Sequence, residues 1–372
     1  MNINKSIKDI ITTLESAFPV NYQESYDNSG LLVGNSSNNC TGILCALDCT
    51  ELIVEEAIKL KCNLIITHHP LIFSGIKKLS QDTYINRTII LAIKNDINIY
   101  AIHTNLDNFI NGVNSYIFKQ LKLVNKKLNI LKPKQSLLCK LYTYIPTTHL
   151  VPVREALFKN GAGQIGNYSS CSFNIEGTGT FTPLQNSNPF IGTAGGSIEN
   201  VNETKLEVIF PVHKKNTIIK TLNESHPYES VAYEIITLDN ENPEIGSGLI
   251  SELDSEIEES ELLALLKSTF NLSVIKHTAL LGKPIKKVAV CGGAGSFLLK
   301  DAIAQKADVF ITSDLKYHEY FDADNKILLI DIGHWESEQF TINLIVDFLN
   351  NKFPNFATFI AGEKTNPVNY YI

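Results

Sequence analysis

Two adjacent histidines, His68 and His69, stand where a short apolar segment ends. Residues 64–66 are Leu-Ile-Ile, a run typical of a buried strand, and Pro70 interrupts regular strand pairing after the histidines. Neutral imidazole is the commonest side-chain ligand for Zn, Fe, Ni and Cu. The pair therefore predicts a metal centre at the carboxyl end of a strand. The alternative is a His-His-Pro turn with both rings solvated.

Polar side chains also follow other predicted strands. Asp48 follows one strand, and His103 and Asp107 follow another. His334 and Glu338 come after a third, spaced i and i+4, so they share one face of a helix. Such a pair is common on a solvated helix face, but its position directly after a buried strand favours ligation. The carboxyl ends of parallel strands are where ligands bind in α/β sheets.

Five of these residues form a ligand set too large for one tetrahedral ion: His68, His69, Asp107, His334 and Glu338. They suit two divalent cations about 3.5–4 Å apart, bridged by a water and by the carboxylate of Asp107 or Glu338. Nitrogen and oxygen donors favour Zn, Mn, Fe, Co or Ni, and a bridged water would supply a hydroxide nucleophile near neutral pH. His103 and His318 are candidate catalytic proton donors, or residues that orient the ligands.

The elements that must position these residues alternate in type. Strands are expected near residues 42–48, 64–66 and 98–103, with helices ending near Leu60 and Lys94 between them. An alternation of this kind predicts a mainly parallel sheet covered on both faces.

The pattern changes in the middle of the chain and then returns. Residues 126–242 are expected to form strand, helix, two strands, helix and strand, the order of a ferredoxin-like module. Afterwards residues 302–313 resemble residues 57–68, an offset of 245 residues between Ala57 and Ala302. We predict an α/β fold in which two related halves, residues 1–125 and 243–372, form one core with the module inserted between them. A chance likeness of two strand–helix units is the alternative.

Composition narrows the class of protein. The 372 residues are 44% hydrophobic and 19% charged, as in an ordinary globular protein. A net charge of −7 without a long basic run argues against nucleic acid as a partner. The seven cysteines include no C-x-x-C pair, and no apolar segment approaches membrane-spanning length. We expect a cytoplasmic protein with reduced thiols and no membrane contact.

Six short motifs carry a resemblance to a known family. They are Tyr26-Asp-Asn-Ser-Gly-Leu-Leu-Val-Gly34, Thr67-His-His-Pro-Leu-Ile-Phe73, His103-Thr-Asn-Leu-Asp107, Gly292-Gly-Ala-Gly-Ser296, Thr312-Ser-Asp-Leu-Lys-Tyr-His318 and Gly333-His-Trp-Glu-Ser-Glu338. Because these motifs occur in the same order as in that family, the chain resembles the GTP cyclohydrolase I type 2 homologue family, also called the Nif-three-like or NGG-interacting-factor-like proteins. The residues His226-Pro-Tyr-Glu-Ser-Val-Ala-Tyr-Glu234 resemble the insert of the family's long form, which is similar to the trimeric PII and CutA domains.

The resemblance implies a dinuclear site on the five ligands named above. It also implies a ring-shaped homohexamer whose sites face an internal cavity. One motif departs from the family: Ser313-Asp314 stands where Gly-Asp is expected, and the serine would narrow the approach to the metals.

The residues Gly292-Gly-Ala-Gly295 follow a strand and invite comparison with phosphate-binding loops. Their spacing fits neither the dinucleotide fingerprint nor the P-loop. A tight turn over the metal site is favoured, and phosphate binding by backbone N–H groups is the alternative.

Three functions are consistent with these features. The first is a metal-dependent hydrolase whose hydroxide opens the ring of a purine nucleotide such as GTP, as the family name suggests. The second is hydrolysis of a phosphoester or small amide by the same nucleophile. The third is a non-catalytic metal-binding or regulatory ring. Five ligands define a nucleophile and leave the substrate open.

Overall fold

The computed structural model describes residues 5–123 and 126–371, which form fifteen strands and eleven α-helices. The strands are β1 (Gly30–Val33), β2 (Ile43–Ala46), β3 (Leu64–Thr67), β4 (Asn98–Ala101), β5 (Asn129–Lys134), β6 (Leu138–Pro146), β7 (Phe173–Phe181), β8 (Glu199–Pro211), β9 (Tyr233–Leu238), β10 (Asn242–Ile257), β11 (Lys276–His277), β12 (Ile285–Ala294), β13 (Val309–Ser313), β14 (Leu328–Asp331) and β15 (Thr358–Ile360). The helices are α1 (Ile7–Ala17), α2 (Glu51–Leu60), α3 (Tyr84–Lys94), α4 (Thr104–Asp107), α5 (Val113–Leu121), α6 (Leu150–Lys159), α7 (Lys215–Ser225), α8 (Glu259–Thr269), α9 (Leu299–Ala304), α10 (His334–Glu338) and α11 (Thr341–Lys352).

The chain divides into two compact units. One combines Met1–Pro133 with Pro243–Ile372, and the other is Lys134–Asn242. The boundary predicted at residue 125 falls on residues 124 and 125, which lie outside the described ranges. β5 belongs to a sheet of the first unit, so the second unit starts at Lys134 rather than at residue 126.

The first sheet of the larger unit has the strand order β1-β4-β3-β2-β15. Its strands β15, β2, β3 and β4 pair in parallel, and only β1 runs antiparallel at the edge. Every residue of β2, β3 and β4 is buried. Continuous apolar runs are expected where helices cover both faces of a parallel sheet. These three strands therefore form a rigid base for the residues at their carboxyl ends.

The second sheet of this unit has the order β11-β14-β13-β12-β10-β5. Strands β12, β13 and β14 pair in parallel, whereas β10 and β11 pair antiparallel with their neighbours. The prediction of one mainly parallel sheet is thus too simple. The long strand β10 pairs directly with β12 in the antiparallel direction, although α8 lies between them in the chain, and this makes the second sheet mixed.

The internal repeat falls on equivalent strands. The offset of 245 residues takes the first residue of β3, Leu64, to the first residue of β13, Val309. Both strands are central, and each lies between the strand before it and the strand after it in sequence. The two sheets therefore repeat the order of their three parallel strands.

The smaller unit is one antiparallel sheet with the order β7-β8-β6-β9 and two helices. Its apolar core joins strand residues such as Leu141 and Val208 to Val153 of α6 and Ile218 of α7. Along β6 and β8, buried and less buried residues alternate. This alternation indicates that the helices cover one face of the sheet and leave the other uncovered.

Candidate metal centre

The predicted ligands meet at the carboxyl ends of three parallel strands. His68 and His69 follow β3, Asp107 ends the short helix after β4, and α10 carries His334 and Glu338 after β14. Parallel strands of one sheet end at a common edge, and here β3 and β4 belong to the first sheet and β14 to the second, so the cluster forms where the carboxyl edges of the two sheets meet. The ring centroids of His68 and His69 are 5.0 Å apart. Those of His69 and His334 are 5.2 Å apart.

His68 is fully buried, and its two ring nitrogens have different surroundings. Nδ1 donates to the carbonyl oxygen of Ile102 at 2.9 Å. Nε2 lies 3.5 Å from Oδ1 of Asp107 and 3.9 Å from Oε1 of Glu338, and it has no hydrogen-bond partner in the described parts of the chain. Because Nδ1 holds the hydrogen in the neutral tautomer, the lone pair of Nε2 faces two carboxylate oxygens. A shared cation would stabilise these three electron-rich atoms.

Glu338 contacts histidines from both sheets. Its Oε2 atom lies 2.9 Å from Nε2 of His69 and 3.2 Å from Nε2 of His334. The two Nε2 atoms are themselves 3.3 Å apart. Glu338 therefore occupies the bridging position in the cluster.

All four histidines of the cluster have their Nδ1 atoms engaged by a fixed oxygen. The partner of His68 is a backbone carbonyl, and the other three pairs are His69 with Asp48 at 2.7 Å, His103 with Asp27 at 2.8 Å and His334 with Asp314 at 2.7 Å. Metal-binding histidines usually donate their second ring N–H to a carboxylate or carbonyl, which fixes the ring and raises its basicity. The described cluster repeats this arrangement four times. In His68, His69 and His334, the Nε2 atom faces a carboxylate oxygen of the cluster.

Three overlapping groups of donor atoms could each hold a metal ion, with all atoms of a group within 4.8 Å of one another. They are His68, His69 and His103; His69, His334 and Glu338; and His68, Asp107 and Glu338. His68, His69 and Glu338 belong to two groups each. The donors are nitrogen and oxygen, since Cys291 lies nearby but belongs to none of the three groups, and burial raises the pKa of its thiol above the usual range.

The pKa values show how the cluster balances its charge without an ion. Burial opposes the protonated form of His69, but Asp48 and Glu338 outweigh it and raise the pKa of His69 to about 10. Burial likewise opposes protonation of His334, yet Glu338 and Asp314 raise its pKa to about 9. Burial acts against ionised Glu338 as well, and the surrounding histidines hold its pKa well below the usual range.

Asp107 behaves differently from Glu338. Burial is the main cause that raises the pKa of Asp107 to about 7, with a further contribution from the charge of Glu338. The two carboxylates cannot both ionise without added positive charge. Protons on His69 and His334 supply part of that charge in the protein alone, and a cation at the same position would replace them. The residues therefore fit a divalent metal ion.

The glycine segment packs directly on the cluster. Gly292 donates its N–H to Oδ1 of Asn114 at 2.8 Å, and Gly293 donates to Oγ of Ser337 at 2.9 Å. Gly293 has a positive φ of 65°, and a Cβ atom there would overlap Oε1 of Glu338. The predicted tight turn is not found as such: Gly292, Gly293 and Ala294 form the irregular end of β12, where the register with β13 shifts between Val290 and Ala294. The N–H groups of Gly292 and Gly293 are not available for a phosphate.

His103 joins the cluster, but His318 does not. The side chain of His318 is exposed and contacts the rings of Tyr317 and Phe321. The chain leaves β13 through Asp314, which has a left-handed φ of 56°, and His318 lies in the 3₁₀ turn that follows. It is not among the residues that line the cavity beside the cluster. Asp314 is the residue of this motif that reaches the site, through His334.

Asp27 lies in the motif Tyr26–Gly34, but the sequence did not predict its contact with the cluster. Asp27 does accept the N–H of Asn28 at 2.7 Å, as a cap would. It also accepts from the backbone N–H of Thr104 at 3.0 Å and from His103. Burial opposes its ionisation, but these hydrogen bonds and the charge of His103 lower its pKa far below the usual range. Contact across 76 residues leaves no local signal in the sequence.

A cavity of about 430 Å³ opens beside the cluster. His69, His103, Asp107, His334 and Glu338 line its inner end, and the aromatic residues Tyr26, Phe73 and Phe297 also line it. In residues 5–123 and 126–371, no helix has the length and apolar character needed to cross a membrane.

Comparisons with known proteins point to one family. Residues 5–367 match the family described as Duf34/NIF3 (NGG1p interacting factor 3). A Staphylococcus aureus (strain Mu50) protein named GTP cyclohydrolase 1 type 2 homolog is 35% identical over 98% of this chain and 99% of its own length. A Halalkalibacterium halodurans protein of the same name is 39% identical over 87% of both chains. The crystal structure of a Bacillus cereus protein related to NIF3 is 34% identical, with a TM-score of 0.84 over 99% of both chains. The resemblance inferred from the six motifs is confirmed.

Proposed function

The chain belongs to the Duf34/NIF3 family, and we propose that it binds two divalent cations per chain and acts as a metal-dependent hydrolase. The proposed ligands are His68, His69, Asp107, His334 and Glu338. The observation that carries this proposal is the unpartnered Nε2 of His68, buried and facing two carboxylate oxygens. Bound divalent cations would lower the pKa of coordinated water and so supply a nucleophile near neutral pH.

The protein's own residues contribute position and proton transfer. Nδ1 of His103 donates to the ionised carboxylate of Asp27, which fixes the orientation of the ring. His103 also lines the cavity, so it can deliver a proton to a leaving group. We propose His103 as the general acid. His318 is exposed outside the cavity lining, which removes the support for its predicted catalytic role.

The relatives' name directs the choice of substrate. Their name contains GTP cyclohydrolase, and we propose hydrolytic opening of a purine ring as the reaction. A regulatory metal-binding assembly without catalysis is the alternative, and a broad substrate screen of metal-loaded protein separates the two. Absence of turnover on every nucleoside, nucleotide, phosphoester and amide would leave only the metal-binding assembly.

The metal site is tested by elemental analysis of protein purified without chelator. We expect close to two divalent ions per chain, and a large loss of metal in Glu338→Gln because an amide cannot replace a bridging carboxylate. Glu261→Gln, on the exposed part of α8, is the matched control and should keep its metal. Equal metal content in both variants would contradict the proposed ligand set.

The role of His103 is tested by His103→Gln. As a general acid it should be needed for turnover and shape the pH–rate profile, while metal content stays unchanged. Loss of metal together with activity would show instead that His103 is a ligand, as its place in one donor group permits.

We further propose that the smaller unit is a ferredoxin-like domain inserted into the chain. Its element order and its antiparallel sheet order β7-β8-β6-β9 support this assignment. An inserted domain needs its own core, and this unit has one. Replacing Lys134–Asn242 by a short Gly/Ser linker should therefore leave metal binding intact. Failure to obtain folded protein would mean that the two units depend on each other.

We also propose that copies of the chain assemble into a homohexamer, as the family resemblance implies. The uncovered face of the smaller unit's sheet supports an assembly, since Phe173 and Ile175 are exposed on β7. Light scattering at micromolar concentration should give about six times the chain mass of 41.4 kDa. A monomer in this measurement would contradict the proposal.

A further inference from the structure

Three exposed aromatic side chains line the cavity beside the cluster. Tyr26 is 64% exposed, Phe73 is 50% exposed and Phe297 is 56% exposed. Single exposed aromatic residues are common on protein surfaces. Three exposed aromatic residues around one cavity indicate a binding site, because together they offer flat apolar faces to a ligand.

Two of these rings are held in a fixed relation to each other and to His103. The rings of Tyr26 and Phe73 are nearly parallel, with centroids 6.5 Å apart and an interplanar angle of 19°. Asn28 links their two loops, because its side-chain amide donates to the carbonyl oxygen of Ile72 at 2.6 Å. Phe73 in turn meets His103 edge to face at 5.8 Å. A flat ligand stacked on this pair would lie next to the proposed general acid.

The same cavity offers little to a phosphate chain. None of the described residues that line it is a lysine or an arginine, and Glu24 lies in the lining. The N–H groups of Gly292 and Gly293 are already donated to Asn114 and Ser337. Recognition of phosphate normally uses such basic side chains or free backbone N–H groups.

The charge balance of the cluster also argues against recognition of a phosphate chain. Five carboxylates contact the cluster histidines or face their Nε2 atoms: Asp27, Asp48, Asp107, Asp314 and Glu338. Two divalent cations would bring four positive charges to the five negative ones. The loaded site therefore keeps no excess positive charge with which to attract several phosphates.

We propose, on the basis of the function proposed above, that the substrate is an uncharged purine base or nucleoside held by its flat face on Tyr26, Phe73 and Phe297. The phosphates of a nucleotide add nothing to recognition. The aromatic residues act as positioning residues, because they hold the ring beside His103 and do not themselves exchange protons.

The test is a binding series on the full-length, metal-loaded protein by calorimetry. Guanosine, GMP and GTP share one ring and differ only in charge. We expect guanosine to bind at least as tightly as GTP, and tripolyphosphate not to bind. Tighter binding of GTP than of guanosine by about tenfold or more would overturn the proposal.

Variants test the aromatic residues directly. Phe73→Leu and Tyr26→Leu should each weaken guanosine binding by about tenfold, because the leucine side chain lacks the flat face on which a base stacks. Tyr317→Leu is the control, since Tyr317 is exposed but lies outside the cavity lining. Equal affinities in all three variants and the unmodified protein would overturn the assignment.

Measurements of metal content and of hydrolysis separate this inference from the proposed function. Protein that keeps its metal and opens the ring of GTP, but neither binds nor hydrolyses guanosine, would contradict this inference and leave the proposed function intact. Protein that holds no metal but binds guanosine through Tyr26 and Phe73 would contradict the proposed function and still support the aromatic binding site.

Discussion

The two halves of the larger unit use the same strand order but contribute to the site differently. In the first half, β3 ends in His68 and His69, whose imidazoles enter the cluster themselves. At the offset of 245 residues, β13 of the second half ends at Ser313 and Asp314. Asp314 reaches the site only through Nδ1 of His334. Equivalent positions thus supply donor atoms of the cluster in one half and a hydrogen-bond partner of a donor in the other.

The histidines of the two halves also differ in how deeply they are buried. His68 is fully buried between strands, whereas the side chain of His334 is 37% exposed on a helix of five residues. The first half holds its histidines rigidly, and the second contributes a more accessible histidine and the bridging Glu338. A repeated scaffold can therefore assemble one asymmetric site, because each strand end is free to diverge while the buried strands keep their packing.

The largest effect is expected at the rigid position. His68→Ala removes a buried donor shared by two of the three donor groups. We expect the loss of most bound metal, measured as ions per chain after purification without chelator. Circular dichroism checks that the variant is folded. Full metal content in folded His68→Ala would mean that the first half does not anchor the site.

A smaller effect is expected at Asp314. Asp314→Asn keeps a side chain that tolerates the left-handed φ of 56°, but it replaces the carboxylate that orients His334. Loss of such a partner typically lowers metal affinity by about 10- to 100-fold. Competition with a chelator of known affinity measures this change. An affinity as low as that of His69→Ala would show that Asp314 binds metal directly, so that the two halves are more alike than the geometry indicates.

The pH dependence of the metal-free protein tests the charge balance between the halves. The folded-state pKa values of His69, about 10, and of His334, about 9, lie above the ordinary histidine pKa of 6.5. Groups whose pKa is raised on folding stabilise the protein fully below their unfolded pKa and lose that contribution as the pH rises through the folded value. The melting temperature of chelator-treated protein should therefore fall as the pH rises from about 6.5 to 10.

Metal-loaded protein supplies the control for this prediction. Its histidine ligands are already deprotonated, so the melting temperature should fall less over the same range. His334→Gln should remove the part of the decline near pH 9 in the metal-free protein. Parallel curves for loaded and metal-free protein would mean that no ion replaces these protons.

The sequence was most informative where strands were apolar and polar residues stood at their ends. Residues 64–66 identified β3, and the positions of His69 and Glu338 after buried strands predicted a His/Glu group, which the structure brings together in an arrangement that could hold a metal ion. The fold of the second half was harder to predict. β10 starts at the domain boundary predicted at residue 242, where no strand was predicted, and its antiparallel pairing with β12 depends on contacts with residues distant in sequence. Asp27 was missed for the same reason, since its partner His103 is also distant in sequence.

A substitution of Ser313 should have the smallest effect on metal binding. It tests the comparison of the two halves directly, because Ser313 occupies the position equivalent to His68. Ser313 lies 245 residues after His68, the offset that also separates Val309 from Leu64. It replaces the glycine that the family resemblance led us to expect. The sequence suggested that this serine narrows the approach to the metals. In the structure Ser313 is fully buried and is not among the residues that line the cavity. Its hydroxyl has no hydrogen-bond partner in the described residues, so its removal breaks no hydrogen bond there.

Ser313→Ala should therefore leave both metal content and metal affinity within about twofold of the unmodified protein, whereas His68→Ala at the equivalent position abolishes binding. Chelator competition on the two variants, purified side by side, makes the measurement. A loss of affinity of about tenfold in Ser313→Ala would mean that the end of β13 helps to shape the site directly. The two strand ends would then share one role, because a buried residue without a ligand atom can alter affinity only by moving the residues that have one.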